Sequence, residues 1–222
     1  MKLIFIRHPE TEANVKRLIY GKTESEYSDR GRASVNAVVE QLSNKKIDAI
    51  YSSPRKRAAD LAEAIAKRHS SDSCILNVRI EDRIQEMHFG IFENKTTREA
   101  REMYGDGFND FWHNFAEFQV PEGETLSQVK ERTVAFLQEL LASETSSESF
   151  EEPMKKDPIK AIDQQYVESG TVVIVAHSLV IRSALSWLLD IPLNKIWHID
   201  IKPAAIVEVS YRGGYGFLTG LR

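Results

Sequence analysis

Short segments of continuously apolar sequence recur along the chain, and their spacing constrains the fold more than any other feature. Continuous rather than alternating apolar character is typical of strands that are covered on both faces of a sheet. Four segments are predicted strands of this kind: Lys2 to Arg7, Ala49 to Ser53, Cys74 to Ile80 and Thr171 to His177. Between them, apolar residues recur at spacings of three and four, which predicts helices at Arg32 to Leu42, Pro54 to His69, Glu124 to Ala142 and Leu179 to Leu189.

The order of these elements predicts the fold class. Alternation of strands and helices favours parallel strands joined by right-handed crossovers. Two final segments, Ala205 to Tyr211 and Tyr215 to Leu221, flank a Gly-Gly pair and are typical of a hairpin. We therefore expect an α/β fold, a three-layer α/β/α sandwich with a mostly parallel sheet and an antiparallel edge strand from this hairpin.

Composition narrows the function classes. A chain of 222 residues is long enough for one large core, and we expect a single domain over residues 1–222. The net charge of −4 and pI near 5.9 argue against a nucleic-acid partner. No apolar stretch approaches the length of a membrane span or a signal-peptide core, and a single cysteine, Cys74, excludes an intrachain disulfide. We expect a cytoplasmic protein with no membrane partner, and the sequence does not define its oligomeric state.

Two regions interrupt the alternation of strands and helices. Residues 81–121 carry several aromatic side chains among charged residues. We interpret them as a helical insertion that forms a wall or lid over the strand ends; an aromatic cluster beneath a long connection is the alternative. Residues 143–170 are rich in serine and glutamate and contain two prolines, which is typical of a flexible segment, and we assign them no function.

The first candidate site residues follow two of the predicted strands directly. Arg7 and His8 end the first strand, and His177 ends the strand that begins at Thr171. Ligands of α/β folds bind at the carboxyl ends of strands. Unprotonated imidazole can attack phosphorus, and an arginine beside it can hold two phosphate oxygens in a fixed fork. Either histidine alone is more often structural, so the hypothesis of a phosphoryl site depends on the pair.

A basic cluster and a glutamate add to this hypothesis. Arg55, Lys56 and Arg57 occupy the start of a predicted helix, where the helix dipole disfavours cations unless an anion lies nearby. A solvated basic turn is the alternative explanation. Glu86 is a candidate general acid, because a carboxyl in an apolar surround has a raised pKa, but most glutamates are simply exposed.

Five blocks of the sequence together resemble the histidine phosphatase superfamily, which has the phosphoglycerate-mutase-like fold. They occur in the order typical of that family and leave out only about residues 143–170. The blocks are Arg7-His8-Pro9-Glu10-Thr11 with Asn14; Ser52 to Ala58; Glu86 with Gly90, Glu93 and Asn94; Pro121, Gly123, Glu124 and Thr125 with Arg132; and Val175 to Ser178. Each block alone is weak evidence for the family, whereas five blocks in the family's order are strong evidence.

The resemblance implies a two-step phosphoryl transfer with His8 as the nucleophile. Glu86 is implied to protonate the leaving oxygen and then to activate water, and Arg7, Arg57 and His177 complete the implied catalytic set. The residues implied to bind the phosphoryl group are Arg7, Asn14, Arg57, His177 and Ser178. Since the arginines supply positive charge, we expect neither a metal nor another cofactor.

Departures from the family pattern bear on the substrate. Pro9 and Ser178 stand where the family usually has glycine, and Arg55 replaces a common apolar residue; none of the three removes a catalytic group. The block from Glu86 to Glu93 is closer to the phosphatases of cobalamin assembly than to the mutases, as is Ile196-Trp197-His198. We expect a phosphatase acting on a small-molecule phosphate ester, with alpha-ribazole 5′-phosphate as the leading substrate. The alternatives are a broad-specificity phosphatase, a phosphoglycerate mutase and a non-catalytic phosphate-binding module.

Overall fold

Within the residues that the computed structural model describes (1–71, 75–105, 107–142 and 170–222), a six-stranded sheet forms the centre of the molecule. The strands of the chain are β1 (Lys2–Arg7), β2 (Leu18–Ile19), β3 (Ala49–Ser52), β4 (Val78–Ile80), β5 (Lys95–Thr96), β6 (Thr171–Ala176), β7 (Ile206–Arg212) and β8 (Tyr215–Leu221). The sheet has the order β4-β3-β6-β1-β7-β8. β4, β3, β6 and β1 run parallel, and β7 and β8 form an antiparallel hairpin at one side. β2 and β5 pair separately.

The helices lie between these strands along the chain. They are α1 (Glu12–Val15), α2 (Asp29–Leu42), α3 (Lys56–His69), α4 (Thr97–Tyr104), α5 (Gly107–His113), α6 (Leu126–Ala142) and α7 (Ser178–Leu188), with 3-10 helices at Asp82–Ile84, Gly90–Phe92 and Leu193–His198. α2 begins at Asp29 because the Ser28 hydroxyl accepts a hydrogen bond from the Gly31 N–H at 3.0 Å. None of the described helices is long and apolar enough to cross a membrane.

The two faces of the sheet are covered by different helices. Alternate residues of β1 point to opposite faces, so Leu3 and Phe5 pack with α6 and α7, whereas Ile4 and Ile6 pack with α2 and α3. All four side chains are at most 1% exposed. The fold is therefore the predicted three-layer α/β/α sandwich, and the apolar runs are continuous because both faces of these strands are buried.

The predicted boundaries differ from the observed ones by a few residues. The predicted strand at 171–177 ends at Ala176, because His177 is the N-cap of α7. The predicted strand at 74–80 is observed only as Val78–Ile80, and residues 72–74 lie outside the described part of the chain. Most of the predicted flexible segment, residues 143–169, also lies outside it.

Residues 81–121 contribute both to the core and to the surface near the strand ends. They contain two of the 3-10 helices, β5, α4 and α5. Phe92, Phe108 and Phe111 are buried in the same hydrophobic cluster as α6 and α7, whereas Trp112 is 48% exposed. The aromatic residues of this region are thus partly core and partly surface.

Candidate active site

Parallel pairing of β1 with β6 places the two candidate histidines side by side. Arg7 lies opposite Ala176 in the register, and the backbone N–H of His8 donates to the Ala176 carbonyl at 3.0 Å. The ring centroids of His8 and His177 are 5.2 Å apart. On the other side of β6, β3 delivers Ser53 to the same edge of the sheet. The carboxyl ends of three neighbouring strands therefore converge, as expected for a ligand site of an α/β fold.

The His8 ring is arranged as a nucleophile. It is 3% exposed, and its Nδ1 lies 2.7 Å from the carbonyl oxygen of Pro9. Because a carbonyl only accepts hydrogen bonds, Nδ1 carries the ring proton and the lone pair is on Nε2. Burial lowers the pKa of His8 well below its usual range, and the charges of Arg57 and Arg7 lower it further. The ring is therefore neutral at physiological pH, with Nε2 free to attack an electrophile.

His177 is oriented as a hydrogen-bond donor. Its Nε2 lies 2.8 Å from the Ser53 hydroxyl, which also accepts the Arg55 N–H at 3.3 Å. The Ser53 hydroxyl can donate its proton to Nε2, and the His177 ring proton is then on Nδ1. Nδ1 is buried and has no hydrogen-bond partner among the described residues. Burial lowers the pKa of His177 well below its usual range, followed by the effect of Arg57.

Backbone carbonyls hold two arginines beside the histidines. Arg7 Nη1 donates to the Ile201 carbonyl at 2.6 Å, and Arg57 donates through Nη1 to Thr23 at 2.9 Å and through Nη2 to Gly21 at 2.6 Å. The Nε atoms of both arginines are buried without a partner in the described structure. Burial lowers the pKa of both guanidinium groups. A bound anion would satisfy these donors, since buried polar groups otherwise go unpaired only at a cost.

Glu86 is buried beside these cations but does not form an ion pair with them. Its carboxylate accepts the backbone N–H groups of Met87 at 3.0 Å and Leu179 at 3.4 Å. Burial raises the pKa of Glu86, and these hydrogen bonds and the charges of Arg57 and Arg7 offset only part of the effect. A carboxyl with a raised pKa can hold a proton near neutral pH and donate it. The sequence alone did not reveal this burial.

Asn14 and Ser178 each present a polar group to the same space. Asn14 is the third residue of α1, and its Oδ1 accepts hydrogen bonds from the Thr11 backbone at 3.1 Å and from the Tyr20 hydroxyl at 3.0 Å. Its amide NH₂ is therefore the group left to donate toward a ligand. Ser178 begins α7, and its hydroxyl accepts a short hydrogen bond from Arg182.

A cavity of about 210 Å³ lies at the meeting point of these groups. It is lined by Arg7, His8, Asn14, Leu18, Ile19, Tyr20, Arg57, Glu86, Phe89, Thr97, Phe111, Trp112, Phe115, Ser178, Leu179 and Trp197. The 81–121 region therefore forms part of one wall, while closure as a lid remains a prediction. Among the described residues, no group of three or more His, Cys, Asp or Glu side chains could hold a metal ion.

The three basic residues at the start of α3 make different contacts. Of these residues, Arg57 lines the cavity, whereas Lys56 pairs with Asp60 on the helix surface. Arg55 donates to the Lys22 carbonyl at 3.0 Å and to Gln85. Neighbouring residues at the start of a helix point in different directions. Of the three, Arg57 is therefore the one placed to contact a ligand at the strand ends.

Glu93 and Glu124 matched family motifs in the sequence but had no predicted role, and in the structure each of them positions a part of the site. Glu93 accepts the backbone N–H groups of Gly21 at 3.0 Å and Thr23 at 3.2 Å, and the carbonyls of these same two residues hold Arg57. Gly21 itself has no room for a Cβ, which would lie 1.7 Å from the Met87 carbonyl oxygen. Glu93 therefore positions Arg57 through the loop between them.

Glu124 and Arg132 position the segment that carries Glu86. Arg132 forms a two-pronged ion pair with Glu124, at 2.9 and 3.1 Å, and donates to the carbonyls of Arg83 and Gln85 at 2.8 and 2.7 Å. Sequence reasoning placed Arg132 in a motif without assigning it a role. It also missed Tyr20, whose ring lies under the Arg57 guanidinium at 4.7 Å; an isolated tyrosine gave no signal in the sequence.

Comparison with known proteins agrees with this geometry. The family model of the histidine phosphatase superfamily (branch 1) matches residues 3–150 and 156–222. Phosphoserine phosphatase 1 of Hydrogenobacter thermophilus is 28% identical over 197 residues, which cover 89% of this chain and 80% of that protein. Glucosyl-3-phosphoglycerate phosphatase of Mycobacterium tuberculosis is 28% identical over 192 residues, or 86% of this chain and 77% of that protein.

A solved structure shows the same fold. The alpha-ribazole phosphatase from Shigella flexneri superposes with a TM-score of 0.78, at 23% identity, and the match covers 100% of this chain and 96% of that one. At this identity the likeness concerns the fold and leaves the substrate open. The family match extends over nearly the whole sequence and includes every residue of the cavity: the chain belongs to the histidine phosphatase superfamily, as a phosphatase of its branch 1.

Proposed function

We propose that this protein hydrolyses small-molecule phosphate monoesters through a phosphohistidine intermediate on His8. One observation carries the proposal: a buried, neutral imidazole with its Nε2 lone pair free lies near buried donors that have no partner in the described part of the chain. These donors are Arg7 Nε, Arg57 Nε and His177 Nδ1. A dianionic phosphoryl group supplies the acceptors that these donors need. Positioning and charge stabilisation are the main requirements of phosphoryl transfer, and the site offers both.

In the first step, the phosphoryl group moves from the substrate to His8. The Nε2 lone pair forms a bond to phosphorus while the bond from phosphorus to the ester oxygen breaks, and the bonding electrons stay on that oxygen. Glu86 donates its proton to the oxygen, so that the product leaves as a neutral alcohol and Glu86 becomes a carboxylate. Arg7, Arg57 and the His177 Nδ1–H hold the transferring oxygens, with the amide of Asn14 as a further donor.

In the second step, water takes the phosphoryl group from His8. Glu86 accepts a proton from the water while the water oxygen bonds to phosphorus, and the bond from phosphorus to Nε2 breaks with its electrons returning to the ring. Inorganic phosphate is released, and both His8 and Glu86 return to their starting states. The balance is one ester and one water consumed for one alcohol and one phosphate formed.

The leading named substrate is alpha-ribazole 5′-phosphate, which the sequence blocks around Glu86 and Trp197 support. Relatives named for phosphoserine and for glucosyl-3-phosphoglycerate support the broader statement that the substrate is a small-molecule monoester. A broad-specificity phosphatase uses the same chemistry, so the named substrate and the reaction are tested separately.

The test is kcat/KM for alpha-ribazole 5′-phosphate against p-nitrophenyl phosphate, with a chelator present. We expect phosphate release from both, independent of the chelator. A preference of about a thousandfold, which corresponds to about 4 kcal/mol of transition-state binding, would establish alpha-ribazole 5′-phosphate as the dedicated substrate. Comparable values would overturn the named substrate and leave the reaction standing. Release of phosphate from neither ester would contradict the reaction.

A further inference from the structure

One wall of the cavity is built from four aromatic side chains in mutual contact. Phe111 and Phe115 have ring centroids 4.6 Å apart, Trp112 stacks on Phe115 at 5.8 Å, and Trp197 meets Phe115 edge to face at 4.8 Å. We call these four residues the aromatic wall. Three of them come from the 81–121 region and Trp197 from the 3-10 helix Leu193–His198, so two distant segments of the chain meet here.

The two tryptophans of the aromatic wall are exposed, although the two phenylalanines beneath them are buried. Trp112 is 48% and Trp197 is 42% exposed, whereas Phe111 and Phe115 are 1% and 7% exposed. Exposed apolar surface that adjoins a cavity marks an interaction site, because leaving large rings in water is unfavourable. Burial of these rings by a ligand would recover that free energy.

The exposed Trp197 ring contacts a buried arginine. The guanidinium carbon of Arg182 lies 5.2 Å from the centroid of the Trp197 ring, within the range of a cation–π interaction. Arg182 is 7% exposed and also donates to the Ser178 hydroxyl. A ring fixed in this way loses little conformational freedom when a ligand stacks on it, which favours binding.

Charge and size restrict what the aromatic wall can contact. Among the described residues that line the cavity, the ionisable groups other than Tyr20 are Arg7, His8, Arg57 and Glu86, all of them engaged with the phosphoryl group in the proposed reaction. The aromatic wall itself carries no charge. The cavity, at about 210 Å³, is smaller than the roughly 300–1,000 Å³ typical of sites for drug-sized ligands. The part of the substrate that lies beyond the phosphoryl group therefore meets mainly aromatic surface in this cavity.

We propose that the aromatic wall is a subsite for a single aromatic ring in the leaving group of the substrate. The preferred substrate is then a monoester whose alcohol carries a flat aromatic ring that can reach the aromatic wall. This inference rests on the proposed function, and it adds the class of the leaving group.

The kinetic test compares three alkyl phosphates whose leaving alcohols have similar reactivity: benzyl, cyclohexylmethyl and ethyl phosphate. We expect kcat/KM for benzyl phosphate to exceed that for ethyl phosphate by at least about 30-fold, from the added apolar contact. We expect it to exceed the value for cyclohexylmethyl phosphate by about fivefold, because only the flat ring can stack. O-phosphoserine should be hydrolysed less efficiently than benzyl phosphate.

Two variants test whether the preference arises at the aromatic wall. Trp112→Leu and Trp197→Leu should each lower the ratio of kcat/KM for benzyl phosphate to kcat/KM for ethyl phosphate at least about fivefold. The matched control is Trp187→Leu, because Trp187 stacks on Tyr211 and does not line the cavity. Thermal melting of each variant identifies any that fail to fold.

A binding measurement keeps this inference separate from the proposed reaction. Calorimetric titration of the wild-type protein with benzylphosphonate and ethylphosphonate, which cannot be hydrolysed, should show at least about tenfold tighter binding of the benzyl compound. Equal affinities, or a ring preference that survives in both tryptophan variants, would overturn the subsite. Absence of turnover with any ester would contradict the proposed reaction, and the calorimetric ratio would still decide whether the subsite exists.

Discussion

Two carboxylates buried in this molecule have opposite surroundings and opposite pKa shifts. Glu208 lies on β7, and its carboxylate contacts the ammonium groups of Lys2 at 2.7 Å and Lys45 at 3.2 Å and the guanidinium of Arg222. Burial alone would raise the pKa of Glu208, but these cations hold it at about 2. Glu86 is also buried, and within the described residues its carboxylate accepts hydrogen bonds from the backbone N–H groups of Met87 and Leu179. Burial therefore raises its pKa.

The difference separates a stabilising region from a reactive one. Around Glu208, three cations of the protein itself neutralise the buried carboxylate. Around Glu86, the protein buries a carboxyl without a cation in contact, and it buries donors of Arg7, Arg57 and His177 without acceptors. The unpaired donors around Glu86 destabilise the folded protein, and a bound phosphoryl group would pair them. An active site is expected to differ from the rest of a fold in this way, because its polar groups are arranged for a ligand.

The largest effect is expected from removing the nucleophile. His8→Ala should lower kcat by at least about 10,000-fold, as loss of a nucleophile does in other covalent mechanisms. The measurement is phosphate release from p-nitrophenyl phosphate, with thermal melting to verify the fold. His69→Ala is the control, since His69 ends α3 away from the cavity. Turnover within tenfold of wild type would exclude His8 as the nucleophile.

Removing the proton donor should have the next largest effect, and the effect should depend on the leaving group. Glu86→Gln should lower kcat/KM for ethyl phosphate by about 100- to 10,000-fold, and much less for p-nitrophenyl phosphate, whose leaving group departs without a proton. In the wild type, the rate for ethyl phosphate should fall as pH rises through the raised pKa of Glu86. That alkaline decline should vanish in the variant; equal losses for both esters would argue against general acid catalysis.

Loosening the loop that holds Arg57 should have a smaller effect. Glu93→Gln replaces an acceptor of the Gly21 and Thr23 N–H groups by a donor, so that the carbonyls holding Arg57 shift. We expect KM for p-nitrophenyl phosphate and the inhibition constant of inorganic phosphate to rise about tenfold, with kcat changed less. Glu93→Asp should restore part of the affinity, and Glu63→Gln, at an exposed position, is the control. An unchanged phosphate affinity would contradict the positioning role.

The smallest effect on activity is expected at Glu208, where stability should change instead. Because the pKa of Glu208 is depressed to about 2 in the folded state, its contribution is complete above the unfolded value near 4.5 and is lost as pH falls toward 2. Glu208→Gln should lower the free energy of unfolding by about 2 kcal/mol at pH 7, less than the full shift implies because the cations are partly solvated.

Urea denaturation at several pH values checks this prediction. The difference between wild type and Glu208→Gln should shrink as pH is lowered from 5 toward 2, and kcat should stay within twofold of wild type. A difference in stability that is constant over this pH range would show that the ion pairs do not carry it.

The sequence predicted much of the fold because the signals were local. The continuous apolar run from Lys2 to Arg7 and the helical spacing from Lys56 to His69 each specify an element, and their alternation specifies the parallel sheet. Observed boundaries differ from the predicted ones where a helix cap sets the end of an element. At His177, for example, β6 ends because this residue is the N-cap of α7. Such a boundary depends on the following helix and is not encoded in the apolar run.

The site was predicted less completely, for a physical reason. His8 and His177 could be paired because both follow parallel strands, but the raised pKa of Glu86 depends on burial by distant parts of the chain. Glu93 could not be recognised as a positioning residue, because its role arises only when the Gly21 loop folds against it. The aromatic wall likewise joins Trp197 to residues some 80 positions earlier, a contact that no local pattern indicates.

The most direct test of this account is to trap the phosphorylated protein. Wild-type protein is mixed with p-nitrophenyl [³²P]phosphate, quenched in alkali within the first turnover and digested for mass spectrometry. We expect one phosphoryl group on His8, stable to alkali and labile to acid, and none in His8→Ala. Label on another residue, or an unlabelled protein at a time when p-nitrophenol has already been released, would contradict the mechanism.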